Sequence, residues 1–376
     1  MIYFDYAATT PINPEILEAY NQLLKKYYAN SASMHIMGAQ VDSLQVRARK
    51  QIADILKVKP EEVIFTSGAT EANNTAIKGV ALKYQNRGKH IITTKVEHPS
   101  VLKVCEQLEK VFGFEVTYLP VNQDGKVELQ VLKSAIRKDT ILVSIMQVNN
   151  ETGSINDIEE IALFLKENYP HIFFHVDATQ GIGKLPLNLA NIDLLSLSAH
   201  KLYGLKGSGL LVKKRAVQLE PLLVGGDQEY ELRAGTSNWP VNVMLAKTLR
   251  IAFEESEKHY QIVKHYYDEV VDVLKGDENF QINSPSNGSP YILNVSLKGL
   301  KAAVVAGYLE KHDICVSTVS ACSARKDPYS YVIEAIYNDM NRANSSIRIC
   351  FSHLTTEEEV ATLIKVLKLA PKEIKR

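Results

Sequence analysis

Short apolar runs recur along this chain between Glu61 and Val212, and most of them stop abruptly at a polar or charged residue. Runs of this kind fall at Phe114 to Leu119, Ile141 to Met146, Ile172 to Val176, Leu194 to Leu197 and Gly209 to Val212. A short, continuously apolar segment bounded by turn residues reads as a strand buried on both faces. Helical patterns separate several of the runs, notably Ile158 to Asn168. That alternation predicts an α/β architecture, a mainly parallel sheet covered by helices on both sides. Open sheets of this class bind ligands outside the carboxyl ends of their strands. The residues that follow each run therefore matter more than the runs themselves.

Two consecutive runs deliver complementary charges to that edge. In "LLSLSAHKLYGLKGSG" the buried strand ends where Lys201 begins a loop, and in "HIFFHVDATQ" the run ends at Asp177, with Gln180 one turn later. A lysine at the mouth of a parallel sheet is poorly hydrated, so its amine can shed a proton and form a Schiff base with a carbonyl. Pyridoxal phosphate needs such a lysine for its aldehyde, and an aspartate to keep its pyridine nitrogen protonated. Asp177 is also placed to cap a helix, and the two roles are compatible.

Other strand exits supply weaker signals. "SGAT" opens a helix near Ala69 and Thr70, where backbone N–H groups and the Thr70 hydroxyl make a phosphate cradle, although an ordinary strand-turn-helix junction looks the same. The lysine and double-glycine spacing of a P-loop are missing. His98 precedes Pro99 at another helix start, placed to stack on an aromatic ring and to shuttle protons near neutral pH. Asn149 and Asn150 follow a third strand and can donate to a ligand oxygen. The small residues of "AATT" near the N-terminus suit backbone close to a ligand.

At 376 residues the chain is long for one core, so two domains are expected. An N-terminal helical pattern runs from Glu15 to Tyr28 with Leu17, Tyr20, Leu23 and Leu24 on one face, and a second from Val41 to Leu56. From Trp239 one long helix runs through Leu249, Ala252 and Tyr260 towards Leu274. The surface loop "NSPSNGSP", the strand "YILNVSL", a helix over 301–311, "SSIRICFS" and a closing helix capped by "TTEEE" then read as a smaller α+β domain. The expected division is a large domain over 15–255, with 1–14 and 256–376 forming the small one.

Lysines and arginines balance aspartates and glutamates at zero net charge, so composition points to neither nucleic acid nor disorder. No apolar stretch is long enough to span a bilayer, and the N-terminus lacks a secretory pattern. A cytoplasmic location is expected. The four cysteines, Cys105, Cys315, Cys322 and Cys350, contain no Cys-x-x-Cys pair, which argues against a zinc site and for free thiols. No metal is expected.

With "SGAT", "EH", "NNETG", "DATQ" and "SAHK" in this order, the chain resembles the class V aminotransferases. With "SAC" and then "SIR" late in the chain, it looks like a cysteine desulfurase of the NifS/IscS type. The resemblance spans nearly the whole chain, from "DYAATTP" to "LTTEEEV". It implies the type I fold of pyridoxal-phosphate-dependent transferases, with a seven-stranded sheet in the large domain. It also implies removal of sulfur from L-cysteine to give L-alanine and a protein persulfide. Lys201 would hold the cofactor, Asp177 would pair with the pyridine nitrogen and His98 would stack on the ring. Gln180 and Asn150 would contact ring substituents, and Ala69, Thr70, Ser198 and His200 would hold the phosphate. A homodimer is implied, with Thr236 of "RAGT" reaching the phosphate from the partner. Arg348 would clamp the substrate carboxylate, with Asn150 beside it, and Cys322 would attack the substrate sulfur.

Ser31, Leu205, Asp227, Glu231, Val319 and Cys350 depart from the family pattern, and none of them removes a catalytic group. A selenocysteine lyase or another class V enzyme, and a catalytically weak partner-binding paralogue, stay open as alternatives. Ser323 to Asp327 offers little apolar surface to bury, so this stretch is expected to swing Cys322 from cofactor to acceptor. The chain ends at Arg376, soon after its last helix, which favours a tRNA-thiolation enzyme over an iron–sulfur scaffold as acceptor.

Overall fold

The computed structural model describes residues 1–318 and 329–374. Its largest sheet has seven strands. In spatial order they are Val63–Thr66, Gly209–Lys213, Leu194–Ser198, Phe173–Asp177, Thr140–Ser144, His90–Thr94 and Glu115–Leu119. All run parallel except Gly209–Lys213, which pairs antiparallel with both of its neighbours. Side chains alternate between the faces along a strand. Ile92, Val143, Phe174 and Leu195 therefore point into one core, and Ile91, Leu142, Leu194 and Leu211 into another. Helices Ile36–Leu56, Ile158–Asn168 and Trp239–Glu254 cover the first face, while Ala69–Tyr84 and Pro99–Phe112 cover the second. Because six strands share one direction, Ser67, His98, Asn150, Asp177 and Lys201 all follow a carboxyl end.

A separate core forms around the three-stranded antiparallel sheet Ser346–Cys350, Ile292–Leu297 and Phe280–Ile282. Helices Ser256–Lys275, Ala302–Glu310 and Glu357–Glu373 pack on it, the last opened by Thr356 and Glu359 in a capping box. The N-terminus belongs to this core: Ile2–Tyr3 pairs with Ile314–Cys315, and Phe4 is fully buried there.

Three expectations from the sequence are corrected. The first helix, Pro14–Lys26, buries Ile16 with Ala19, Tyr20 and Leu23 against Leu205, Val241 and Met244. Leu17 and Leu24 lie on the next stripe round and are 43% and 42% exposed. The long helix from Trp239 is two helices, Trp239–Glu254 and Ser256–Lys275. Leu245 and Leu249 serve the large sheet while Val263, Tyr267 and Val270 serve the small one, and a single straight axis does not face both cores. The "NSPSNGSP" loop is mostly inside, since only Ser286 and Asn287 at its tip are exposed. Asn283 and Ser284 are buried, and the Ser284 hydroxyl donates to the Thr152 carbonyl at 2.6 Å.

Glu229, Tyr230 and Glu231 are three consecutive non-glycine residues with positive φ, of 50°, 58° and 64°. Such conformations cost free energy and persist only where the surroundings hold them. Here Arg49 grips Glu229 through both guanidinium nitrogens, at 2.9 and 2.7 Å, and the Phe65 N–H donates to the same carboxylate at 2.9 Å. Removing the cation leaves a carboxylate buried beside its strained turn. Arg49→Met is therefore expected to lower stability by about 3–5 kcal/mol, read from the urea midpoint. A loss below ~1 kcal/mol, the range of a surface ion pair, contradicts this assignment.

Candidate active site

Strand exits and the N-terminal segment enclose a cavity of about 450 Å³ lined by 22 residues of both cores, of which Ala7, Ala69, His98, Asp177, Lys201 and Arg348 define its sides. Its size suits a cofactor-sized ligand. Lys201 ends a short helical turn, Ala199–Lys201, directly after its strand. The Nζ donates to the carbonyls of Ala7 and Ala8, the latter at 2.6 Å. Burial, helped by the cations of Arg348 and Lys184, pushes its pKa down to about 8. No carboxylate pairs with it among the described residues, so the neutral amine becomes a substantial fraction as the pH approaches about 8, well below the range of a hydrated lysine.

Asp177 is the last residue of its strand. One carboxylate oxygen accepts the Thr179 N–H at 3.0 Å and the other accepts Asn73 Nδ2 at 2.8 Å. His98 caps the helix Pro99–Phe112 and lines the cavity. Ala69 and Thr70 open the helix Ala69–Tyr84, whose N-cap, Gly68, gives no side-chain cap. Free N–H groups at a helix start attract an anion. A Cβ on Gly209 would come within 2.5 Å of the Gly68 Cα, so only glycine lets the neighbouring strand fit beneath this turn. Ser198 and His200 line the same end, and burial holds the His200 imidazole down at about 4, with the nearby lysines adding to it.

Arg348 rises from the small sheet and is almost fully buried. Nη1 donates to the Asn150 carbonyl and Nη2 to Asp5, each at 2.8 Å. Among the described residues its Nε lacks a partner, as do Asn150 Oδ1, Thr179 Oγ1 and Gln180 Oε1, all on residues of the cavity wall. Buried polar atoms are nearly always satisfied, so a cluster of orphans in one wall calls for a polar ligand. An amine at Lys201, a carboxylate at Asp177, an uncapped helix start and orphaned amide oxygens fit the aldehyde, pyridine nitrogen, phosphate and ring substituents of pyridoxal phosphate.

The residues expected at the site thus gather, with three qualifications. Asn149 does not line the cavity; its amide holds the turn together, donating to the Val96 carbonyl and accepting from Glu151 and Thr152. Thr236 is exposed and does not line the cavity in this chain. Cys322 and Val319 lie outside the described residues, as does the stretch Ser323 to Asp327. Asp5, Asn73 and Glu97 were given no role by the sequence. Glu97 is fully buried, and burial first of all pushes its carboxyl up to about 8.

The aminotransferase class V family matches residues 2–363. The chain is 42% identical to cysteine desulfurase IscS of Dictyoglomus turgidum over 98% of its own length and 93% of that protein's. It is 41% identical to putative cysteine desulfurase IscS 1 of Bacillus subtilis, over 97% of each chain. Among solved structures, a NifS-like protein superposes with a TM-score of 0.92 at 35% identity, covering 98% of this chain and 99% of that one. SspA in complex with cysteine gives 0.83 at 35% identity, covering 95% of this chain and 100% of the other.

A neutral amine is needed to attack an aldehyde, so the rate at which cofactor-free protein takes up pyridoxal phosphate should rise with pH and level off above about 8. Stopped-flow absorbance measures it. A rate still climbing towards ~10.4, the value of a hydrated lysine, contradicts the lowered pKa.

Proposed function

Given that the chain belongs to the class V aminotransferase family and is a pyridoxal-phosphate-dependent cysteine desulfurase, we propose that Lys201, Asp177, His98, Arg348 and Cys322 carry its reaction. The observation that supports this most strongly is the delivery of a desolvated Lys201 and a two-donor Asp177 to one cavity. When bound there, the cofactor supplies an aldehyde for the substrate amine and a ring that accepts electrons.

Asp177 would bind the pyridine N–H, His98 would cover the ring face, and Gln180 and Asn150 would contact its substituents. The Ala69 and Thr70 end of the helix would hold the phosphate with Ser198 and His200. Thr236 would reach the same phosphate from a second copy of the chain, which makes the protein a homodimer; the exposure of Thr236 supports that reading. Arg348 still has N–H groups to spare beyond its bonds to Asp5 and Asn150, enough to grip the carboxylate of L-cysteine. Lys201, once the substrate amine replaces it, would take the Cα proton on Nζ. Cys322, as a thiolate, would then attack the substrate sulfur. The new S–S bond would form as the C–S bond breaks with its electron pair left on the substrate Cβ. A proton from water at Cβ and return of the Cα proton from Lys201 Nζ would then give alanine, with a persulfide left on the protein. The persulfide would go to an acceptor protein, a tRNA-thiolation enzyme or an iron–sulfur scaffold.

We also propose that residues 15–255 and the pairing of 1–14 with 256–376 act as two units meeting at this cavity. A cytoplasmic setting agrees with Cys105, Cys315 and Cys350 being free thiols, and no helix among the described residues is long and apolar enough to cross a membrane.

Sulfide and alanine release from L-cysteine, with a thiol reductant, tests the assignment. Cys322→Ala should abolish sulfide release and keep the bound-cofactor absorbance; full activity in that variant overturns the nucleophile. Arg348→Lys loses the planar fork, so KM for L-cysteine should rise about 10- to 100-fold with cofactor absorbance unchanged. An unchanged KM places the carboxylate elsewhere. Thiolated tRNA and iron–sulfur enzyme activities in a deletion strain distinguish the acceptors.

A further inference from the structure

His98 is bound on one side by a chain of hydrogen bonds whose directions are all fixed. The Ser100 backbone N–H donates to His98 Nδ1 at 3.1 Å, and a backbone N–H has no other role to play. Nδ1 must therefore be the unprotonated nitrogen. The Ser100 hydroxyl lies 2.8 Å from the same atom and also receives Asn73 Nδ2 at 2.8 Å, so its own proton goes to Nδ1. The other N–H of Asn73 donates to Asp177, an acceptor when ionised, which fixes the orientation of the amide. Asn73 is fully buried and Ser100 nearly so.

Two further features act in the same direction. His98 is the N-cap of a 14-residue helix, where the positive end of the helix dipole opposes an imidazolium. Burial is the main cause that lowers its pKa; Asp177, facing the ring, opposes it, and the cations of Lys201 and Arg348 act with burial. A proton can be added at Nδ1 only by breaking the Ser100 bond and setting one N–H against another. Nε2 is left as the ring nitrogen with no partner among the described residues, on a residue that lines the cavity.

We infer that Asn73 and Ser100 are positioning residues that hold His98 as a neutral imidazole with its proton on Nε2, so that it acts as a hydrogen-bond donor in the cavity and not as a proton shuttle. A neutral imidazole at a helix N-terminus polarises a bound group without giving up its proton. The transferable proton then rests on Lys201 Nζ. This inference builds on the desulfurase reading only for the identity of the bound group, because the tautomer belongs to the protein itself.

Long-range ¹⁵N–¹H correlation spectra of histidine-labelled full-length protein test it, recorded as purified and again after cofactor removal. His98→Gln identifies the signals. The expected result is a protonated Nε2, a bare Nδ1, and no titration between pH about 5.5 and 8.5, the window around the usual ~6.5. Ser100→Ala should raise the midpoint by about 0.7 pH unit, the equivalent of one lost hydrogen bond, while Ser100→Thr keeps the wild-type value. A proton on Nδ1, a wild-type midpoint near 6.5, or a Ser100→Ala midpoint that does not move would each overturn the inference. Absent sulfide release with the expected tautomer would instead count against the desulfurase reading.

Discussion

The burial of one ammonium group sets the terms for the rest of this molecule. Lys201 leaves its strand into a region that provides two backbone carbonyls and no carboxylate partner among the described residues. A charged amine there is expensive, and the protein responds by holding its pKa near 8. Around it stand groups that only a ligand completes: an uncapped helix start, an aspartate with two donors behind it, and orphaned amide oxygens. The seven-stranded sheet is the means by which these groups, far apart in sequence, come to one edge.

The second constraint is the joint between the two cores. Arg348 belongs to the small sheet, yet it donates to the Asn150 carbonyl at a strand exit of the large one. Asp5, from the N-terminal segment that pairs with the small domain, balances its charge at 2.8 Å. Ala7 and Ala8, two and three residues further on, receive Lys201. One short N-terminal stretch therefore touches both the amine and the guanidinium, which ties the spacing of these two cations to the packing of Phe4 in the small core.

Much of this was legible in the sequence, for physical reasons. Lys201, Asp177 and His98 follow apolar runs too short for helices, and a parallel sheet places such residues on one edge. The resemblance to cysteine desulfurases added Arg348 and Cys322, which no spacing argument reached. Asp5 stayed hidden because a single carboxylate near an N-terminus looks solvated until its partner, 343 residues away, is known. Asn73 received no role from the sequence, although two adjacent asparagines inside a helix are poor formers and were a signal worth following. The break at Glu255 carries no glycine or proline, and it arises from two cores competing for one helical axis. Leu17 and Leu24 fit a helical stripe that the structure turns to solvent, because Ile16 anchors a neighbouring one.

The central claim is that the protein's chemistry is hung on Lys201. Reducing the purified, cofactor-loaded protein with borohydride, digesting it and sequencing the modified peptide by mass spectrometry tests this most directly. The account predicts a single pyridoxyl adduct, on the Nζ of Lys201. An adduct on Lys184, Lys206 or any other lysine, or none on a protein that still releases sulfide from L-cysteine, would contradict it.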